Sequence, residues 1–203
     1  MSGYPAADEA ENPFAAVRVR PGAIPFVFSG ETDAARLVER LRRDGWRGQI
    51  VGPHGSGKSA LLATLVPVIE RAGRRVVCFE LHDGAARLPR GWRQLVDRRV
   101  ATLLAIDGYE QLTRWHRYQL TRFCRRAQLG LVVTSHAPVG LPDLFHTNAS
   151  LELAEHVVAV LQRDHRVLVL ADDVAGPYRR HGGDLRETLF DLYDLYERRR
   201  RTM

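Results

Sequence analysis

The sequence predicts an α/β fold: a parallel sheet flanked by helices on both faces, with a small helical lid at the C-terminal end. Three observations predict it. Short, nearly continuous apolar runs alternate with segments of helical periodicity, which is typical of parallel strands buried on both faces. A glycine-rich octet joins the first apolar run to a helix. From about residue 154 onward the pattern becomes mainly helical.

No strand of the sheet is predicted in the part of the chain that precedes "GQIV". Residues 1–13 are small, acidic and proline-bearing, so we expect a mobile tail. Residues 14–31 hold two prolines and a glycine among apolar residues, which favours an extended segment packed on the domain. A first helix is predicted from Thr32 to near Gly45 because apolar residues recur there at helical spacing. The α/β core as a whole is predicted to span residues 14–153.

The remaining elements of the core alternate in order. The strand "GQIV" leads into the octet, and the helix after the octet contains Pro67, which we expect to kink or shorten it. Helices are expected at 90–99 and 112–126, between strands that are joined by right-handed crossovers. The strands are predicted at "RRVVCFEL", "VATLLAIDG" and "LGLVVTSH", with "ASLEL" as a further candidate.

Residues 154–203 are predicted to form the helical lid, in which "RVLVL" is the one stretch that could instead be a strand. The last helix comes after a break at Gly182 and Gly183. Asp184 is its expected N-cap, with Glu187 three residues later, the spacing of a helix start.

Composition limits the class of protein. A net charge of +6 and a pI near 9.9 fit either an anionic partner or arginine-rich, solvated helix faces. Cys78 and Cys124 lie in apolar segments, offer no disulfide framework, and are expected to be core thiols. No apolar run approaches the roughly 18 residues of a membrane span, and the N-terminus lacks a basic start. We therefore expect a soluble, cytoplasmic protein.

The octet "GPHGSGKS" matches the pattern G-x-x-x-x-G-K-[ST] between a strand and a helix. Glycines let several backbone N–H groups turn toward one phosphate, and the helix N-terminus adds positive potential. The chain has 29 arginines and one lysine, Lys58, which fits a site that needs a compact ammonium group. The predicted phosphate-binding residues are Gly52, Pro53, His54, Gly55, Ser56, Gly57, Lys58 and Ser59.

A bound nucleotide needs a Mg²⁺ ligand at the end of a nearby buried strand. Asp107 comes directly after the apolar run "TLLAI" at that edge, and the Ser59 hydroxyl is the second expected ligand. Glu110 either polarises the attacking water as a general base or begins the next helix. The residues leave these two alternatives open.

"GPHGSGKS" and "LLAIDG" resemble the Walker A and Walker B motifs of P-loop NTPases, and residues 30–197 are most similar to AAA+ ATPases and their STAND relatives. The resemblance implies binding of ATP with Mg²⁺. In the AAA+ family a polar residue at the tip of the next strand senses the γ-phosphate, which implies Thr134 or Ser135. A lid arginine near the start of a helix also contacts the γ-phosphate in that family, which implies Arg186.

Some residues depart from the family pattern. Gly108 stands where AAA+ enzymes usually have Glu, and "DGYE" is closer to the D-G-x-[DE] arrangement of STAND proteins. No N-K-x-D, D-x-x-G or L-S-G-G-Q motif is present, which argues against a GTPase and a transporter ATPase. Arg122, Arg125 and Arg126 could supply an arginine finger or simply a solvated basic face. The eight histidines show no ligand spacing and are interpreted as surface or packing residues.

Two functions are consistent with these patterns. The first is a Mg-dependent ATPase that couples ATP binding and hydrolysis to a protein or nucleic-acid partner, as a monomer or an oligomer. The second is a nucleotide-dependent switch with negligible hydrolysis, and a small-molecule P-loop kinase is a further alternative. Catalytic roles are assigned to Glu110, Ser135 and Arg186 in the first.

Overall fold

The computed structural model describes residues 12–15, 26–28, 32–82, 84–96 and 102–202 of the 203-residue chain. The chain divides into two compact units. The sheet unit comprises Phe28–Gly52 and Lys58–Thr147, and the helical unit comprises Met1–Val27, Pro53–Gly57 and Asn148–Met203. None of the helices in the described part of the chain is long and apolar enough to cross a membrane.

Five parallel strands form the sheet, which confirms the predicted α/β class. Their order across the sheet is β2-β3-β4-β1-β5. Strand β4 therefore lies between β1, which leads into the octet, and β3, which ends at Asp107. The strands are β1 (Arg47–Val51), β2 (Arg75–Glu80), β3 (Thr102–Asp107), β4 (Gly130–Ser135) and β5 (Asp143–His146).

The helices of the sheet unit begin where local caps place them. The Asp33 side chain accepts a hydrogen bond from Arg36 N at 2.7 Å, so the first helix starts at Ala34, close to the predicted Thr32. The second helix continues through Pro67 to Arg71, so the proline does not shorten it. The helices are α1 (Ala34–Arg43), α2 (Lys58–Arg71) and α3 (Arg114–Arg126), with 3₁₀ turns at Trp92–Leu95 and Tyr109–Gln111.

The core of the sheet unit lies between the central strands and α3. Leu104 and Ile106 of β3 are fully buried, and they pack in one cluster with Leu120 and Cys124 of α3. Each such side chain contributes about 1.5–3 kcal/mol by leaving water. Cys124 is therefore a core thiol as predicted, whereas Cys78 on the edge strand β2 is exposed, so that part of the expectation is wrong.

Two predicted elements are wrong. The helix expected at 90–99 is only the 3₁₀ turn Trp92–Leu95 within the described residues, and it comes after Gly91, whose φ of 78° is left-handed. The candidate strand "ASLEL" is instead the start of α4 (Leu151–Leu161), because the Ser150 side chain caps a helix by accepting from Leu153 N at 3.1 Å. The fifth strand is β5.

The helical unit is built from α4, α5 (Ala171–Arg180) and α6 (Leu185–Arg201). Apolar residues of all three helices meet in one buried cluster with Phe14 and with Leu168 and Val169 of the stretch between α4 and α5. The helical members are Ala154, Val157, Val158, Val174, Leu189, Leu192 and Tyr196. The stretch "RVLVL" is neither helix nor strand. The buried Gln162 side chain satisfies its backbone instead, since it accepts from Leu168 N and Val169 N and donates to Val169 O.

Residues 12–15 belong to the helical unit, whereas the sequence predicted a mobile tail at 1–13 and an α/β core from residue 14. Of the expected mobile tail, residues 1–11 lie outside the described residues, but Asn12 is buried and donates to Glu197 Oε1 at 2.7 Å. Phe14 packs edge-to-face on Tyr196 with ring centroids 5.9 Å apart. The helical unit resumes at Asn148, a few residues before the predicted boundary at 153.

Candidate functional site

The octet turns sharply between β1 and α2. Its first residue is tied to the sheet, because Gly52 N donates to Ser135 O at 3.2 Å. Gly55 and Gly57 have φ values of 65° and 88°, a left-handed backbone that glycine adopts without strain. Helix α2 begins at Lys58 directly after the turn. A helix N-terminus carries unpaired N–H groups and positive potential, so the loop is suited to an anion.

Lys58 places its charge at the same loop. Its side chain is only 9% exposed, and Nζ donates to Gly52 O at 2.8 Å. A buried ammonium is costly without acceptors, and this bond offsets part of that cost. Ser59 comes next in the first turn of α2 and is half-buried. The sequence thus places an ammonium and a hydroxyl at the helix start.

Asp107 is held in place by Thr134, on the neighbouring strand. The Thr134 hydroxyl donates to Asp107 Oδ1 at 2.5 Å and accepts from Gly108 N at 2.9 Å. Both bonds use one hydroxyl, on a residue that is 1% exposed. Thr134, which the resemblance implies as a γ-phosphate sensor, therefore acts in this structure on the position of the Asp107 carboxylate.

Gly108 has a structural reason to be glycine. Its φ is 77°, and a Cβ atom at this position would overlap the carbonyl oxygen of Leu81. A glutamate directly after Asp107, as AAA+ enzymes usually have, would meet both the strain and the overlap. The first carboxylate after Asp107 in the sequence is that of Glu110, three residues later.

Glu110 lies in the 3₁₀ turn Tyr109–Gln111 rather than in the first turn of α3, which begins at Arg114. Glu110 therefore lies at the start of a 3₁₀ turn and not at the start of α3. Its Oε1 lies 3.0 Å from His136 Nε2. Its Oε2 is buried and has no hydrogen-bond partner within the described part of the chain. A buried carboxylate oxygen without a donor is costly, so this atom is suited to accept from a bound group.

Ser135, the other implied sensor, is fully buried, and its hydroxyl donates to Ala137 O at 2.7 Å. In the sheet unit the structure therefore gathers Gly52, Ser135, Asp107 and Glu110 at the carboxyl ends of three adjacent strands or just beyond them.

The helical unit contains both Arg186 and the middle of the octet, Pro53–Gly57. Asp184 caps α6 as predicted, because its Oδ1 accepts from Arg186 N at 2.9 Å and Glu187 N at 3.2 Å. Its Oδ2 lies 3.0 Å from His54 Nδ1. A Cβ atom on Gly55 would overlap the Asp184 carboxylate, so this position also requires glycine. The Arg186 guanidinium lies over the Phe190 ring, 6.0 Å from its centroid.

Sequence reasoning named His54 within the octet and interpreted the histidines as surface or packing residues, but it did not predict their carboxylate partners. His54 pairs with Asp184, His136 with Glu110 and His181 with Asp191, at N–O distances of 3.0, 3.0 and 2.9 Å. The partners are 130, 26 and 10 residues apart, so no local spacing reveals them.

The chain has the fold of a P-loop NTPase of the AAA+ type. A mutant of RuvB from Thermotoga maritima superimposes with a TM-score of 0.53 at 13% identity, covering 79% of this chain and 60% of that one. The replication initiator DnaA bound to AMPPCP and single-stranded DNA gives 0.53 at 16% identity, covering 87% and 66%. At these identities the likeness concerns the fold.

One curated relative is similar in sequence. It is the cytochrome c biogenesis ATP-binding export protein CcmA of Rhizobium meliloti (strain 1021), which is 35% identical over 99 residues. The match spans 48% of this chain and 45% of that relative, about half of each. No protein-family model matches the chain.

Proposed function

We propose that this protein binds ATP with Mg²⁺ and hydrolyses it, as an AAA+-type ATPase whose cycle acts on a protein or nucleic-acid partner. The observation that carries the proposal is the arrangement of the strand ends. Strand β4 separates the strand that leads to the octet from the strand that ends at Asp107, and its Thr134 holds the Asp107 carboxylate. Similarity to a relative named as ATP-binding supports the nucleotide.

The binding roles are assigned from the geometry of the chain. Backbone N–H groups of residues 52–57 and the N-terminus of α2 would bind the phosphates, and Lys58 would add its charge. Ser59 and Asp107 would hold Mg²⁺, which neutralises charge on the phosphates when bound. Both groups suit the ion, since hydroxyl and carboxylate oxygens are its preferred ligands. Thr134 keeps Asp107 from rotating away.

Glu110 is the proposed general base. His136 fixes one carboxylate oxygen, and the other, buried and without a donor among the described residues, would accept a proton from the attacking water. Ser135 and Arg186 are proposed to contact the γ-phosphate. For Ser135 this requires its hydroxyl to turn from Ala137 O. Arg186 would act from the first turn of α6.

A nucleotide-dependent switch with negligible turnover is the second candidate. The observation that favours it is the Glu110–His136 contact, because a carboxylate oxygen that is held by a histidine is less available to the attacking water. The free cysteines Cys78 and Cys124 suit a reducing compartment, which supports a proposed cytoplasmic location. The net charge of +6 supports nucleic acid as one partner class.

Steady-state Mg-ATP turnover and ATP binding, measured on the same preparations, test the proposal. Lys58→Ala should lose binding, whereas Glu110→Gln should keep binding and lose turnover by about 10²-fold or more. Glu70→Gln, an exposed carboxylate on α2, is the matched control and should behave as wild type. Wild-type turnover equal to that of Lys58→Ala, with ATP still bound, would favour the switch. Wild-type protein that binds no nucleotide would overturn both.

A further inference from the structure

Helix α3 exposes two large aromatic side chains side by side. Trp115 is 63% exposed and Tyr118 is 56% exposed. Their rings are stacked, with centroids 5.9 Å apart and planes inclined by 26°. The buried side of the same helix is occupied by Leu120 and Cys124. The aromatic pair therefore contributes a flat apolar surface to solvent instead of to the core.

Three arginines continue this surface along the helix. At 100° per residue, Trp115, Tyr118, Arg122, Arg125 and Arg126 fall within a sector of about 100°, and all five are exposed. Over the described residues, none of the three arginines forms an ion pair with a carboxylate. We call this surface, formed by the five residues, the α3 face. It extends for about 16 Å along the helix axis.

The segment of the chain that contains α3 carries formal charges of one sign. From Gln111 to Pro142 the sequence contains five arginines and no aspartate or glutamate. Like charges on one helix face repel and destabilise it by a few tenths of a kcal/mol per pair, so they gain from an anionic partner. An anion that also presents flat rings would contact both the aromatic pair and the three arginines.

We propose that the α3 face binds single-stranded nucleic acid. Unpaired bases would stack on Trp115 and Tyr118, and the phosphates would pair with Arg122, Arg125 and Arg126. Bases in a duplex are stacked on each other and cannot reach the aromatic pair, so a duplex would use the arginines alone. Binding requires no nucleotide in the octet. Only the role of this ligand as the partner of the ATPase rests on the proposed function.

Fluorescence anisotropy with labelled (dT)20 and a 20-base-pair duplex tests the proposal on the full chain without ATP. Trp115→Ala should weaken (dT)20 binding about fivefold or more with no change in its salt dependence. Trp115→Phe, which keeps a ring, should bind nearly as wild type. The triple variant Arg122→Gln, Arg125→Gln, Arg126→Gln should reduce the slope of log K against log salt by about 2, since each phosphate contact contributes about 0.7.

A triple variant at three exposed arginines elsewhere, Arg43→Gln, Arg163→Gln and Arg166→Gln, has the same change in net charge and is the matched control. It should leave the slope nearly unchanged. Because every substituted side chain on the α3 face is exposed, all variants should keep the wild-type melting curve.

Binding of (dT)20 that Trp115→Ala does not weaken would overturn the proposal, as would a duplex that binds equally tightly. The two proposals fail separately. Lys58→Ala should still bind (dT)20, whereas stimulation of ATP turnover by (dT)20 needs both sites. If the protein binds (dT)20 but does not turn over ATP, only the proposed ATPase activity is rejected. If it turns over ATP but does not bind (dT)20, only the proposed binding by the α3 face is rejected.

Discussion

Replacing Thr134 with valine would remove the hydroxyl that links Asp107 to Gly108 while keeping the side-chain shape. Because Thr134 is 1% exposed, water cannot take the place of its oxygen. Gly108 N would lose its acceptor, which costs about 1–3 kcal/mol when the group is buried. Asp107 would lose a charge-assisted hydrogen bond of about 1.5–3 kcal/mol, reduced by water because its side chain is half-buried. We expect the free energy of unfolding to fall by about 2–3 kcal/mol.

Equilibrium urea unfolding of the full chain measures this change. The matched control is Ser135→Ala, which removes the neighbouring buried hydroxyl but only one hydrogen bond, to Ala137 O, and should cost about 1 kcal/mol. A double-mutant cycle of Thr134→Val with Asp107→Ala isolates the hydroxyl–carboxylate bond. A Thr134→Val variant within about 0.5 kcal/mol of wild type, or a cycle with additive effects, would refute the role assigned to Thr134.

Three further predictions concern other parts of the molecule. Gly108→Ala should lower the free energy of unfolding in urea by about 1–3 kcal/mol, because its left-handed φ and a neighbouring carbonyl both oppose a Cβ; an unchanged midpoint would contradict this. Hydrogen bonds from Arg199 hold the pKa of Asp173 below its ordinary value, so their stabilisation is present above about pH 3.9 and lost as the pH falls through the folded-state pKa. Asp173→Asn should therefore be less stable than wild type at neutral pH, with the difference shrinking as the solution is made strongly acidic; a difference independent of pH would argue against it. Burial raises the pKa of Cys124 to about 12, so a thiol reagent at mildly alkaline pH should modify Cys78 alone in the native protein and both cysteines in denaturant.

The elements that the sequence predicts best are those with a strong local signal. The strands β3 and β4 are nearly continuous apolar runs, β1 comes directly before the octet, and the Asp184 cap is recognisable from neighbouring residues. Strand β5 has no such signal, because it has four residues at the sheet edge and only Leu144 among them is buried. Of the predicted helix at 90–99, the described residues 90–96 form only a 3₁₀ turn, next to Gly91 and Pro89.

The candidate site also has residues that the sequence predicts and contacts that it does not. The residue types at the octet and at Asp107 are recognisable because their chemistry demands a local spacing. The contacts that orient them are not local. Thr134 reaches Asp107 across 27 residues, and His136 reaches Glu110 across 26, because β3 and β4 are neighbours in the sheet. A single sequence does not show which strands become neighbours, so these contacts emerge only with the strand order.

The strand order also determines which parts of the sheet can form first during synthesis. Strand β1 pairs with β4 and β5 alone, and His146 is translated 95 residues after Val51. At about 5–20 residues per second, the strand that leads into the octet waits roughly 5–20 s until both of its sheet partners have been made. Until β4 is made, the backbone N–H and C=O groups of β1 and its Ile50 and Val51 side chains have no sheet to join. Nascent chains of this protein are thus expected to need a chaperone most while residues 52–146 are being made.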